Sequence, residues 1–222
     1  MASSSIIIQH YSQAVEKYPW LEKPYALENL WVIDGKLDVI DINGYCWGTY
    51  QVKIVFPNGY PLNIPVLIET SNKITRHVDW HISEQGVCCV GTIAKQHREM
   101  SDGITLISWL DKFAIPYFAN HIQRLELGSY ANGEFAHGLE GILEYYKELF
   151  QTLDANSTLD RLRQIAGLNS YSKNALCFCG SGKKYKRCLE KNRKEHMFHI
   201  PRDILIADIN SLKKLTPKIY LK

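Results

Sequence analysis

"GTYQVKIVFPNGYPLNIPVLIET", residues 48 to 70, holds two kinds of chain in succession. Tyr50, Val52, Ile54 and Phe56 alternate with Gln51, Lys53 and Val55. A period of two puts the first set on one face, which predicts a strand with a buried side. "PNGYPLNIP" is too rich in proline and glycine for a regular element. "IPVLIET", residues 64 to 70, reads as another short strand.

Working upstream, "NLWVIDG" and "KLDVIDING" are strand-like runs that meet at Asp34-Gly35, a pair suited to a hairpin turn. Residues 5 to 18 place Ile7, Tyr11, Ala14, Val15 and Tyr18 near helical spacing. Downstream of residue 70, regular patterning stops until "SDGITLISWLDKFAIPYFANHI", a predicted helix with Ser101 as its cap. "ANGEFAHGLEGILEYYKELFQTL" predicts a further helix, with its apolar stripe on Phe135, Leu139, Ile142, Leu143, Tyr146 and Phe150. Residues 159 to 166 read as a short helix within a polar connection. The order implies an α+β fold: an antiparallel sheet of about four strands with flanking helices, followed by a small C-terminal appendage. The expected domains are residues 1–155, a linker over 156–176, and an appendage over 177–222.

The 222 residues are 45% apolar and 22% charged, the balance of a soluble globular protein. No apolar run approaches the roughly 18 residues of a membrane span, and "MASSSIIIQHYSQAVEKY" lacks the basic n-region of a secretory signal. A cytoplasmic location is expected. Six cysteines stand at 46, 88, 89, 177, 179 and 188, clustered rather than scattered. In a reducing compartment such clusters bind metal or do chemistry. Charge is also divided: from residue 156 onward there are 15 Lys/Arg against 5 Asp/Glu, while residues 1 to 155 carry 11 against 18. An acidic body with a basic tail suggests units with different partners.

"HISEQGVCCVG", residues 81 to 91, sets two thiols side by side after a glycine turn. In extended chain, neighbours face opposite sides, so one thiol faces the core and the other faces out. The surrounding landmarks are Phe56-Pro57, Tyr60-Pro61, Pro65, then Ile82, Gly86 and Cys89, then Ser101 and Thr105 before a helix. In that order and spacing they resemble the ubiquitin-conjugating fold over roughly residues 5 to 125. The resemblance gives Cys89 the nucleophile position, and Cys88 replaces the aliphatic residue that precedes it. The family's His-Pro-Asn triplet reads Asp79-Trp80-His81 here, with His81 where an Asn supports the oxyanion or its loop. An imidazole N–H can donate the same hydrogen bond. Met100 and Asp102 replace the family's Trp and Pro. His77 and Asp79 lie close enough in sequence to tune an incoming amine, and His137-Gly138 echoes a pair in bacterial members.

A thioester suits this role because it stores acyl energy, and a thiolate is strongly nucleophilic even when partly ionised. The resemblance therefore implies a cysteine-dependent acyltransferase. Cys89 would accept the C-terminal glycine of a ubiquitin-like protein or an operon partner, such as an antiphage nucleotidyltransferase, and pass it to an amine. No adenylate-forming segment is visible, so an activating-type enzyme or a preactivated donor is implied. Two alternatives stay open: a catalytically inactive conjugating-like binding module, and a zinc-dependent adaptor.

"LCFCGSGKKYKRCLEKNRKEHMFH" closes the chain with Cys177, Cys179 and Cys188 around a Gly-Ser-Gly turn. The pattern resembles the SEC-C zinc motif. Closely spaced thiolates with a later pair make a tetrahedral zinc site. The resemblance places a Cys or His directly after Cys188, where this chain has Leu189, so His196 or His199 is the candidate fourth ligand to a structural zinc. A segment this small has little core of its own, and metal binding would supply folding energy. Lys183, Lys184, Lys186 and Arg187 suit an acidic protein surface; with Tyr185 the sole interleaved aromatic, nucleic acid is not the expected partner, nor is a membrane.

Overall fold

The computed structural model describes residues 4–130, 136–167, 172–177, 181–188 and 199–215. The architecture is mixed α+β, with a four-stranded antiparallel sheet in the order β1-β2-β3-β4. The chain divides into two compact units, Met1–Gly91 with Asp102–Glu134, and Thr92–Ser101 with Phe135–Lys222. Among the described residues no helix is long and apolar enough to cross a membrane.

The first unit opens with α1 (Ser4–Val15), which buries Ile7 and Ala14. The sheet follows as β1 (Tyr25–Leu27), β2 (Leu30–Ile40), β3 (Cys46–Phe56) and β4 (Val66–Glu69). The alternation of β3 holds: Tyr50, Val52, Ile54 and Phe56 are all buried. Antiparallel register sets Ile33 opposite Ile54 and Leu37 opposite Tyr50. The Tyr50 ring stacks on Phe118 at 4.2 Å between centroids. Pairs of this kind add about 1 kcal/mol beyond the area they bury.

Asp34-Gly35 is not a turn. β2 runs straight through it, and the two upstream runs form one strand. The glycine is there for close approach: a Cβ at Gly35 would sit 2.5 Å from the Trp20 carbonyl oxygen and 2.7 Å from the Leu21 Cα. Lacking it, the chain bonds alongside, with Glu22 N–H on the Asp34 carbonyl (2.8 Å) and Lys36 N–H on the Trp20 carbonyl (3.1 Å). The hairpin turns later, over Asp41 to Tyr45, where Asp41 Oδ1 accepts from the amides of Asn43 (2.8 Å) and Tyr45 (3.0 Å). Aspartate makes such turns because its short carboxylate reaches amides two residues on.

Two further expectations shift. α2 (Ile93–Glu99) arises inside the stretch read as irregular, with Thr92 accepting the Lys95 amide at its start. The next helix begins at Leu106 rather than Ser101. Thr105 is its N-cap, its Oγ1 accepting the Ser108 amide at 3.3 Å. α3 (Leu106–Trp109) passes through a π-helical turn, Leu110–Ala114, into α4 (Ile115–Leu127). Pro116 stands in the first turn of α4, where a missing N–H costs least after the irregular turn.

The second unit is helical: α2, α5 (Gly138–Phe150), α6 (Ala155–Gly167) and α7 (Arg202–Leu212). α6 occupies much of the expected 156–176 linker and buries Leu159, Leu162 and Ile165. Its stripe meets Tyr146 and Phe150 of α5 and Leu205 and Ile209 of α7 in one apolar cluster. Phe135 of the expected α5 stripe lies outside the described residues.

Candidate functional site

The site grows from the edge of β4. Cys88 N–H donates to the Leu67 carbonyl (2.9 Å) and Glu69 N–H to that of Gly86 (2.9 Å), so residues 86 to 88 extend the sheet. The chain then folds on itself: Ile82 bridges Cys88, and Ser83 N–H reaches the Val87 carbonyl at 2.9 Å. Gly86 makes the turn at φ +83°, with its amide on the Ser83 carbonyl at 2.9 Å. The outcome for the adjacent thiols follows from this pleat. Cys88 is 7% exposed and faces the core, while Cys89 is exposed.

Under the turn lies an ion pair between a buried glutamate and a half-buried arginine. Arg76 Nη1 is 2.7 Å from Glu69 Oε2, and Arg76 Nη2 donates to the Glu69 carbonyl (2.7 Å) and to Asn72 Oδ1 (2.9 Å). Glu69 Oε1 takes the Ser71 amide (2.8 Å) and the Ser71 hydroxyl. Charges so deep are tolerable only when their remaining valences are filled.

His81 caps a single 3-10 turn, Val78–Trp80, in the left-handed region at φ 52°. It touches Cys89 through its backbone: the His81 carbonyl accepts the Cys89 amide at 2.8 Å and the Tyr117 hydroxyl at 3.1 Å. Its ring packs edge-on against Tyr130, 5.6 Å between centroids. His77 and Asp79 meet each other at 3.3 Å on the surface. The Cys89 segment is thus pinned to helix α4.

α4 contributes three residues at i, i+4 and i+7 to this loop: Tyr117, His121 and Arg124. The Arg124 guanidinium lies between the rings of Trp80 (4.2 Å) and Tyr130 (4.7 Å). It donates to the Asp79 carbonyl and, at 2.8 Å, to the Tyr130 hydroxyl. The His121 ring stacks on Trp80 at 5.9 Å and meets Tyr117 at 4.6 Å. None of these three lies in a motif; their helical spacing was the signal available to sequence reading.

The electrostatics separate the two thiols. Burial pushes the Cys88 thiol up to about 12, making it inert at neutral pH. Desolvation also raises Cys89, opposed by a hydrogen bond from the Gly91 backbone, so its resting form is the protonated thiol. Burial pushes Tyr117 far above the usual phenol range, with the cysteines adding to the effect. His121 is lowered to about 4 by burial, then by the neighbouring His81 and Arg124, and is neutral at pH 7.

In the second unit, Cys177 and Cys188 are buried at 3% and 7% exposure. Backbone bonds tie the described residues around them: Cys177 N–H donates to the Lys183 carbonyl (2.7 Å), Tyr185 N–H to that of Ala175 (2.8 Å), and Cys188 N–H to that of Tyr185 (3.1 Å). Both thiols belong to the apolar cluster of α5, α6 and α7. The segment therefore shares a core with these helices rather than standing without one. Ser181 Oγ lies 3.7 Å from Cys188 Sγ. His199 is described and exposed; Cys179 and His196 fall outside the described residues. Among the described residues no group of three or more His, Cys, Asp or Glu is placed to hold a metal ion. His137 stands at the N-cap of α5.

Residues 174–188 match the SEC-C motif family. No curated protein and no solved structure matches the chain.

Proposed function

We propose that the chain is a ubiquitin-conjugating-like acyl carrier with Cys89 as nucleophile. The observation that carries this reading is the exposed Cys89 thiol on a strand-edge loop pinned through His81 to α4, beside a buried and inert Cys88. The order of helix, antiparallel sheet, cysteine loop and helix is in keeping with it.

In the loading step, Cys89 Sγ loses its proton to solvent and attacks the carbonyl carbon of an activated C-terminal glycine. The S–C bond forms as the bond to the donor's activating group breaks. A ubiquitin-like protein or a nucleotidyltransferase C-terminus fits as donor, with an activating-type enzyme supplying the energised carboxyl. In the second step an amine attacks the thioester carbon, the N–C bond replaces the S–C bond, the thiolate leaves, and the amine's surplus proton passes to solvent. The His81 ring N–H is the candidate donor to the developing oxyanion. A thiol kept protonated at rest resists stray electrophiles in a reducing cytoplasm until a donor docks.

For the tail, the residue types Cys177, Cys179 and Cys188 with His199 or His196 would suit a structural zinc. When bound, the metal would cross-link the loop that carries them. One observation favours a binding module instead: burial raises the Cys89 thiol rather than lowering it. A zinc-dependent adaptor would rest on the tail.

Replacing Cys89→Lys in the native host, followed by peptide mass spectrometry, separates these readings. A lysine there converts a transient thioester into a stable isopeptide bond. An adduct on residue 89 ending in a partner's C-terminal glycine is the expected result. Its absence with the activating enzyme present leaves the binding module. Loss of function in Cys177→Ala but not Cys89→Ala leaves the adaptor.

A further inference from the structure

A groove of about 640 Å³ lies away from the cysteine loop in the first unit, lined by residues 16–20, by Lys36, Asp38, Ile40 and Asp41 of β2 and its turn, and by Asp111 and Ile115. Its chemistry is unusual for idle surface. Trp20 is 61% exposed, and its indole N–H is bound to Asp38 Oδ2 at 3.0 Å. Trp47, 48% exposed and outside the groove's lining, bonds Asp41 Oδ2 at 3.1 Å and meets Tyr45 edge-on at 5.0 Å. The second Asp38 oxygen accepts the Thr49 hydroxyl at 2.5 Å, and the second Asp41 oxygen takes the turn amides. Each carboxylate is thereby fixed in place beside an indole. With its indole N–H engaged, the Trp20 ring offers a partner its face, which is apolar and carries the negative side of the ring quadrupole. Ile40, Ile42 and Tyr45 add exposed apolar area nearby along the chain.

The charge in the groove is lopsided. Lys17 is paired with Asp111 at 2.8 Å, leaving Glu16, Asp38 and Asp41 against Lys36. An aromatic face beside a fixed carboxylate recognises a cation on an apolar stem, and lysine and arginine have that shape. Exposed tryptophan and tyrosine are also the residues that dominate protein interfaces. We propose that this groove docks a segment of a partner protein presenting lysine or arginine alternating with aliphatic residues, the cations lodging at Asp38 and Asp41 and a stem lying on Trp20. The inference is independent of the chemistry at Cys89.

The test uses the full chain and a fluorescein-labelled hexapeptide alternating leucine and lysine, read by anisotropy, with a leucine–glutamate peptide beside it. Saturable binding of the lysine peptide alone is expected. It should weaken at least about five-fold in the double variant Asp38→Asn, Asp41→Asn, and similarly in Trp20→Ala, whose exposed ring can be removed without opening the core. It should also weaken between about 50 and 500 mM salt, as exposed charges are screened. Glu84→Gln, which alters an exposed charge outside the groove, should leave binding unchanged. The proposal is overturned by equal binding of the glutamate peptide, by equal loss in Glu84→Gln, or by no saturable binding. A concentration-dependent dimer dispersed by Asp38→Asn would also overturn it, since the occupant would then be a second copy.

Discussion

Gly86→Ala tests whether the cysteine loop is held by backbone contact. A Cβ at Gly86 would lie 2.5 Å from the Glu69 carbonyl oxygen and 3.2 Å from the Arg76 guanidinium. The residue also sits at φ +83°, which costs an L-residue about 1–2 kcal/mol. The obstructing atom is backbone, so no rotamer change relieves it. The loop must instead move off β4, giving up the Glu69 N–H to Gly86 carbonyl bond, worth about 1 kcal/mol, and loosening the ion pair on the buried Glu69 carboxylate. A total near 3–5 kcal/mol is expected. Gly103→Ala is the matched control: φ is +113°, but nothing lies within 4 Å of its would-be Cβ. Only the conformational cost, about 1–2 kcal/mol, should appear there. Hydrogen exchange resolved over residues 81 to 91 is the suitable assay, because a two-unit chain need not unfold in one step. Loss of protection at the Cys88 and Cys89 amides in Gly86→Ala, and none in Gly103→Ala, is expected. Equal effects of the two variants on the loop would refute the argument from contact.

Iodoacetamide at pH 8 should label Cys89 and leave Cys88 intact, since a thiol near 12 is ionised to only about one part in 10⁴ there; comparable rates by peptide mapping would contradict the assignment of buried and exposed thiols. His121 supplies a pH dependence with a definite sign. Its folded value, about 4, lies below the ordinary 6.5, so the unfolded chain binds the extra proton between those values. Stability in the first unit should fall as pH drops through that window, by about 3 kcal/mol at the limit, and His121→Phe should flatten the slope in urea titrations. Arg124→Lys keeps the charge but loses the planar fork between Trp80 and Tyr130; it should raise hydrogen exchange at residues 79 to 81 several-fold, and an unchanged rate would mean the sandwich carries little. Tyr117→Phe removes the hydroxyl from the His81 carbonyl, and faster alkylation of Cys89 with a shifted pH profile is expected; an identical profile would separate the clamp from thiol reactivity.

What the sequence determined by itself was local and periodic. The alternation from Tyr50 to Phe56 marks the buried face of β3, because side-chain direction in a strand depends only on residue parity. The same parity separates Cys88 from Cys89, and the spaced cysteines of the tail match a known motif over 174–188. Tertiary structure decided what depends on distant chain. Asp34-Gly35 has turn chemistry, yet residues 20 to 22 lie across it and need its missing Cβ, so the turn falls at Asp41 instead. The clamp on the cysteine loop joins Asp79 to Arg124, 45 residues apart, and no local pattern encodes such a meeting. The groove likewise forms only when Trp20 and Asp38, 18 residues apart, come within a hydrogen bond. Parity and spacing are properties of neighbours along the chain; a clamp or groove is a property of packing, and packing is settled by the whole core at once.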